Sequence, residues 1–262
     1  MSEHAPAGGN SAYAMSTGGA AAVRGRWWRR RIDAVEWLDQ PGVSPEAVVA
    51  NLRDFEFVNR HLGGARSVLA HVQPVFDATP AGEPLRVLDI ACGAGDILRS
   101  IAGLARRTRR PLFGIGVDAN PLVTAYARAA AEDFGELAWM RGDALSPPFG
   151  SRSFDLVICS AFIHHLTPDQ AVTCIRQVAR VSRGWLIVSD VVRSHPAYLS
   201  YPLLAWSLDF APITRHDGAV SLRRAYTPDE LAEFAAAAGL SNWRIHRHRF
   251  CRMSLVCAPG GD

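Results

Sequence analysis

At 262 residues, 48% of them hydrophobic, the chain can bury one large core and a small appended element. Its formal net charge of +3 is too small to point to nucleic acid, and all 28 basic residues are arginine, a bias that reads as genomic. No run approaches the roughly 20 apolar residues a bilayer span needs, and Met1–Ala22 lacks the basic-then-apolar order of a signal peptide, so a soluble cytoplasmic protein is expected.

Residues 1–22, rich in Ala, Gly and Ser, are expected to be disordered. Residues 23–80 read as a helical extension. It opens on Arg24-Gly-Arg-Trp-Trp-Arg-Arg-Arg, an amphipathic helix start with Trp27 and Trp28 packed inward, or a contact for a membrane surface or partner. Two or three helices follow up to Asp77, broken at Gln40-Pro-Gly and Leu62-Gly-Gly, with Leu52, Phe55 and Val58 at helical spacing. After a breaker-rich link at 78–84, residues 81–262 alternate strands and helices, the pattern of a parallel α/β sheet. Strands are expected at 85–91, 112–118, 137–142, 154–160 and 184–191, with helices at 96–107, 121–134 and 168–181. An insertion at 193–224 precedes a helix at 228–238, capped by Thr227 with Pro228 at its first position, and strands at 242–250 and 252–258. Five widely spaced cysteines, Cys92, Cys159, Cys174, Cys251 and Cys257, fit reduced thiols rather than a disulfide framework.

The densest information lies in Arg86-Val-Leu-Asp-Ile-Ala-Cys-Gly-Ala-Gly-Asp96. A buried strand ends in Asp89, Gly93 and Gly95 let the backbone turn and approach a ligand closely, and Asp96 opens a helix. A dinucleotide site would need a third glycine where Leu98 stands, and Asp96 would repel its phosphates. A cationic nucleoside suits this acid-flanked turn better. The segment resembles the first motif of class I S-adenosylmethionine-dependent methyltransferases.

Three further segments follow in order. Phe113-Gly-Ile-Gly-Val-Asp-Ala-Asn-Pro ends a second strand on Asp118, a carboxylate able to accept from both ribose hydroxyls or to cap the next helix. Arg141-Gly-Asp-Ala-Leu-Ser-Pro-Pro-Phe carries Asp143, which the resemblance implies at the adenine amine. Ser153-Phe-Asp-Leu-Val-Ile-Cys-Ser-Ala-Phe-Ile-His-His-Leu resembles small-molecule methyltransferases of the ubiquinone/menaquinone type. The resemblance implies a Rossmann-like, doubly wound seven-stranded sheet, five strands parallel with a terminal antiparallel pair. It implies S-adenosylmethionine held by Asp89, Cys92, Gly93, Gly95, Asp118, Ala119, Asp143, Ala144 and Ser160. Arg60 beside Gly63-Gly64 is a candidate partner for the cofactor carboxylate, or Gly63 simply caps a helix.

Asn59-Arg-His-Leu-Gly-Gly, Arg215-His-Asp-Gly and Ser221-Leu-Arg-Arg-Ala-Tyr-Thr-Pro-Asp-Glu-Leu resemble a bacterial group encoded beside type III polyketide synthases. That resemblance implies a small aromatic, quinone or polyketide-like acceptor in secondary metabolism, methylated on oxygen or carbon. Tyr198, Tyr201, Trp206 and Phe210 are expected either to wall a planar acceptor or to form ordinary core beneath a lid, with Arg215 also at the acceptor and His165 or His216 as its base. His164 is expected to face solvent or its helix. No metal site is expected, because the two histidines and Cys159 lack further ligands at suitable spacing. A noncatalytic scaffold of the same fold, a nucleotide dehydrogenase, and a nitrogen or RNA acceptor remain the alternatives. The expected state is a monomer or homodimer.

Overall fold

The computed structural model describes residues 30–80 and 82–259. The expectations for 1–22, and for Trp27 and Trp28, lie outside them. Arg30 and Arg31 are not helical: residues 31–36 run as irregular chain into a 3₁₀ turn, Trp37–Asp39. The chain is tied down there by its own arginine, whose guanidinium donates to the carbonyls of Arg224, His164 and Leu166 at 2.7, 2.9 and 2.8 Å.

Three helices precede the sheet: α1 (Pro45–His61), α2 (Gly64–Leu69) and α3 (Gln73–Ala78). Ser44 starts α1, its hydroxyl accepting from the Ala47 amide at 3.2 Å with Pro45 inside the first turn. Gly63, at φ +84°, takes the left-handed conformation that ends α1 and lets α2 begin at once. Gln40-Pro-Gly and Leu62-Gly-Gly are therefore the breaks expected of them.

The sheet has seven strands in the order β3-β2-β1-β4-β5-β7-β6. They are β1 (Leu85–Ile90), β2 (Leu112–Asp118), β3 (Leu137–Arg141), β4 (Phe154–Ser160), β5 (Ser182–Val191), β6 (Trp243–His248) and β7 (Arg252–Cys257). The first five are parallel, and β7 runs antiparallel to both β5 and β6. Connecting helices are α4 (Asp96–Arg107), α5 (Pro121–Ala129) and α6 (Pro168–Val181), then α7 (His195–Ser207) and α8 (Pro212–Arg224), then α9 (Pro228–Ala237). This is the doubly wound sheet the resemblance implies. Its side-chain period of two splits the core: Leu88 and Ile90 of β1 join the α6/α9 layer, Leu85 and Val87 the α2–α4 layer. Strand order diverges on either side of β1 and β4, which opens a crevice beyond their carboxyl ends.

Two elements differ from expectation. The helix after β2 stops at Ala129 rather than 134, because the Ala131 and Phe134 amides bond three residues back (3.2 and 2.9 Å) and this tighter winding turns the chain into β3. The insertion is two helices, α7 and α8, packed on each other, and α8 also packs on α1 and on the Trp37–Asp39 turn. Among the described residues, no helix is long and apolar enough to cross a membrane.

Candidate functional site

A cavity of about 320 Å³ lies at the carboxyl edge of the sheet, under α1 and the Trp37–Asp39 turn. Four chain segments leave the sheet edge to line it: Ala91–Ala94 after β1, Asp118–Asn120 after β2, Gly142–Ala144 after β3 and Ser160–Phe162 after β4. Ala91 and Ala161 stand at φ +54° and +53°, left-handed conformations that turn the chain sharply off the strand ends. From above, α1 contributes Asn51, Leu52, Phe55 and Asn59, one helical face.

The glycine turn is built on Trp139. Gly95 stands at φ +73°, and a Cβ there would sit 2.2 Å from the Trp139 ring; one on Gly116 in β2 would sit 2.3 Å from it. The indole thus fills the space beneath the turn and dictates glycine above and below. Gly95 itself does not line the cavity; it sets the entry of α4 and hence the place of Asp96 at its start.

Three carboxylates converge here. Asp89 is 1% exposed, and burial, with Asp96 and Asp118 close by, pushes its carboxyl well above the usual range. Burial pushes Asp96 up to about 6 against the opposing pull of the Asn59 amide and Arg99. Asp118 is likewise raised by burial, although its oxygens accept from the Gly93 and Asn120 amides at 3.2 and 3.0 Å. The helix cap after β2 is Asn120, which accepts from the Leu122 amide, so Asp118 keeps acceptor capacity for a ligand. Asp143 is exposed, its carboxylate turned back onto the Leu145 amide at 2.8 Å. A pocket that gathers this many carboxyls, with His165 the one basic side chain among the described residues on its wall, is suited to a cation.

The three acids and the cleared space over Gly93, where an added Cβ meets nothing, fit a nucleoside carrying an ammonium and a sulfonium.

At the other end sits a cluster that crosses the chain. Glu36 is 2% exposed and accepts from Ser221 Oγ at 2.7 Å; burial raises its carboxyl above the usual range. His165 Nδ1 lies 2.9 Å from Asp39 and its Nε2 lies 3.7 Å from Glu36. His164, expected to face outward, is instead 4% exposed. Its Nδ1 lies 2.7 Å from Asp190 at the end of β5, and its Nε2 is 3.6 Å from Glu36. Burial works to raise Asp190, but the contacts with His164 outweigh it and hold the carboxyl below its usual range. Asp217, fully buried, holds the turn that carries Glu36 and Asp39: its carboxylate accepts from the Trp37 and Leu38 amides at 2.8 and 3.0 Å.

Of the residues expected at the site, Asp89, Cys92, Gly93, Asp118, Ala119, Asp143, Ala144, Ser160 and His165 line the cavity. The others lie elsewhere. Arg60 is exposed on α1, and the inward residue of that turn is its neighbour Asn59, whose amide donates to Asp96 at 3.3 Å. The buried cation on this side is Arg252 of β7, close enough to Asp190 and Asp96 to feel both charges, with Nη1 unpartnered. His216 stacks on Trp37 at 4.0 Å and bonds Asp217, outside the cavity wall. The aromatic wall does not form either. Tyr201 donates to the Thr214 carbonyl between α7 and α8, Tyr198 lies against Arg223, Phe210 packs edge-on to Phe57, and Trp206 is 69% exposed. Arg215 bonds Asp209 and the Phe210 carbonyl. Leu38, Phe55 and Phe162 supply the apolar lining in their place.

Residues 87–184 match the family model described as a methyltransferase domain. The chain is 30% identical over 160 residues to a ubiquinone biosynthesis O-methyltransferase of Neisseria meningitidis, covering 59% of this chain and 63% of that relative. A S-adenosylmethionine-dependent methyltransferase structure from Aquifex aeolicus superposes with a TM-score of 0.58 at 14% identity, over 82% of this chain and 98% of that one. Magnesium protoporphyrin IX methyltransferase from Synechocystis, solved with bound S-adenosylhomocysteine, gives 0.52 at 18% identity over 92% and 95%.

Proposed function

Because residues 87–184 match a methyltransferase-domain family model and the sheet has the strand order of class I methyltransferases, we propose that this chain methylates a small molecule with S-adenosylmethionine. The acceptor proposed is a small aromatic, quinone or polyketide-like metabolite carrying the reacting oxygen or carbon. The observation that carries the reading is the convergence of Asp89, Asp96 and Asp118 on one cavity at the carboxyl edge of the sheet. The similarity to a ubiquinone biosynthesis O-methyltransferase supports the acceptor class.

S-adenosylmethionine, when bound, supplies a methyl carbon already activated by its sulfonium. Asp89 and Asp96 would hold its ammonium, Asp118 its ribose hydroxyls and Asp143 the adenine amine, with Ala119, Val123 and Ala144 against the ring. The chain's own work is alignment and exclusion of water, effects able to lower a barrier by about 7–11 kcal/mol. Phe55, Phe162 and Leu38 are among the apolar lining and leave the Glu36–Asp39–His165 group as the polar contact for an acceptor oxygen. Removing the proton of a phenolic hydroxyl there accelerates attack by about 10²–10⁴.

The test supplies methyl-labelled cofactor and a panel of phenols, catechols, quinols and polyketide-like aromatics, reading S-adenosylhomocysteine formation and product mass. Transfer to one or more phenolic or quinol acceptors supports the reading. Cofactor binding with transfer to none of them, or transfer to RNA instead, overturns the acceptor class.

A further inference from the structure

We propose that Glu36, His164 and His165 form a binding site for one first-row divalent transition-metal ion, of the zinc, iron(II), manganese or cobalt class. The three side chains arrive from the turn before α1 and from the 3₁₀ turn after β4, and their ligand atoms all lie within 4.8 Å of one another. Each histidine has its other nitrogen committed to a carboxylate, His164 Nδ1 to Asp190 at 2.7 Å and His165 Nδ1 to Asp39 at 2.9 Å. Asp190 is further fixed by the amides of His164 and Val191 at 3.0 and 2.7 Å. With each ring proton on the Nδ1 side, the tautomer a carboxylate partner selects, both Nε2 lone pairs face Glu36.

The result is two imidazole nitrogens and one carboxyl gathered around one point. The Nε2 atoms stand 3.6 and 3.7 Å from the Glu36 oxygens, too far to share a proton in a hydrogen bond. Bonds of about 2.0–2.2 Å to one ion bring cis ligand atoms to roughly 3–3.5 Å apart, so closing on a metal needs only a slight contraction. The surroundings are those of metal-binding histidines generally, whose outer nitrogen donates to a carboxylate and whose liganding carboxylate is itself hydrogen-bonded. Here Ser221 Oγ fills the last role on Glu36 at 2.7 Å. Two imidazoles and one carboxylate favour a transition ion over magnesium or calcium.

Glu36 and His165 line the cavity while His164 is buried behind them, so the remaining coordination positions open towards the acceptor end. An acceptor oxygen would bind there. This last point alone rests on the methyl-transfer reading; the ion's binding does not.

The full chain, stripped with chelator, is titrated with cobalt(II) by visible absorption and with zinc(II) by calorimetry, without nucleoside. One equivalent is expected, at micromolar affinity or tighter, with a cobalt spectrum of mixed nitrogen and oxygen ligation. Glu36→Gln and His165→Ala should each weaken binding by at least 100-fold, and Asp190→Asn by about 10–100-fold. Thermal melts confirm that each variant folds; because His165 is partly exposed, its variant keeps the test available if a buried change unfolds the chain. Uptake below one equivalent, or a Glu36→Gln protein that binds like the parent, overturns the site. Calorimetry of the stripped protein with S-adenosylhomocysteine is run beside it, so failure of the metal site and failure of the cofactor reading give different results.

Discussion

Asp96→Asn should push stability and cofactor affinity in opposite directions. In the free protein burial holds the Asp96 carboxyl up at about 6, so its ionised form is disfavoured in the fold. A carboxyl raised on folding contributes stability that is fully present below its unfolded value near 3.8 and is lost as pH rises through about 6. That difference of roughly two pH units amounts to about 3 kcal/mol at pH 7. The asparagine variant escapes it and should melt higher than the parent at pH 7, with the advantage vanishing near pH 4. Cofactor binding runs the other way. The cofactor's α-ammonium stays charged below about 7.7 and needs the carboxylate ionised, so affinity should rise about tenfold between pH 5 and pH 7. Losing the charged contact should cost about 1.5–3 kcal/mol, or some 10–100-fold in affinity at pH 7, and flatten the profile. Paired melts and S-adenosylmethionine titrations from pH 5 to 7.5 read both quantities. A variant that melts lower at pH 7, or keeps the parental pH slope for binding, refutes the argument.

Three other perturbations follow from named contacts. Gly95→Ala combines left-handed strain of about 1–2 kcal/mol with a Cβ 2.2 Å from the Trp139 ring, worth about 1–3 kcal/mol more. Denaturant unfolding should show a loss of about 2–5 kcal/mol, partly restored in the Gly95→Ala/Trp139→Phe double variant. Asp217→Ala strands the Trp37 and Leu38 amides, so stability should fall by about 3 kcal/mol. Acceptor KM should rise while S-adenosylhomocysteine affinity holds within twofold, as titration and steady-state kinetics would record. His71 is pressed down to about 4 by burial and by His246 and His248, whose rings lie 4.5 and 5.4 Å away. A histidine depressed on folding gives stability that is complete above about 6.5 and lost as pH falls towards 4. His71→Leu should blunt that acid sensitivity in melts between pH 7 and 4.

What the sequence discloses depends on how local the cause is. The strand ends at Asp89 and Asp118, the turn at Gly93 and Gly95 and the cap at Thr227 are set by neighbours a few residues away, and pattern alone finds them. Glu36 and Asn59 have no such signal. Glu36 matters because Ser221 and the two histidines meet it across the fold, and Asn59 because α1 happens to turn that residue, not Arg60, towards Asp96. Which of two adjacent histidines faces inward was likewise undecidable locally: Asp190, on another strand, draws His164 in and Asp39 holds His165 at the cavity wall. The aromatics of 198–210 show the limit of composition. An apolar helix can line a pocket or cover a neighbour, and α7 packs on α8 beside the site rather than over it.

A structure of the full chain with S-adenosylhomocysteine tests the central claim most directly. The account predicts the ribose hydroxyls on Asp118, the adenine amine at Asp143, the methionine amine between Asp89 and Asp96, and the sulfur directed at the Phe162–His165 end of the cavity. Nucleoside bound outside this crevice, or seated there with its sulfur turned away from His165, would contradict it.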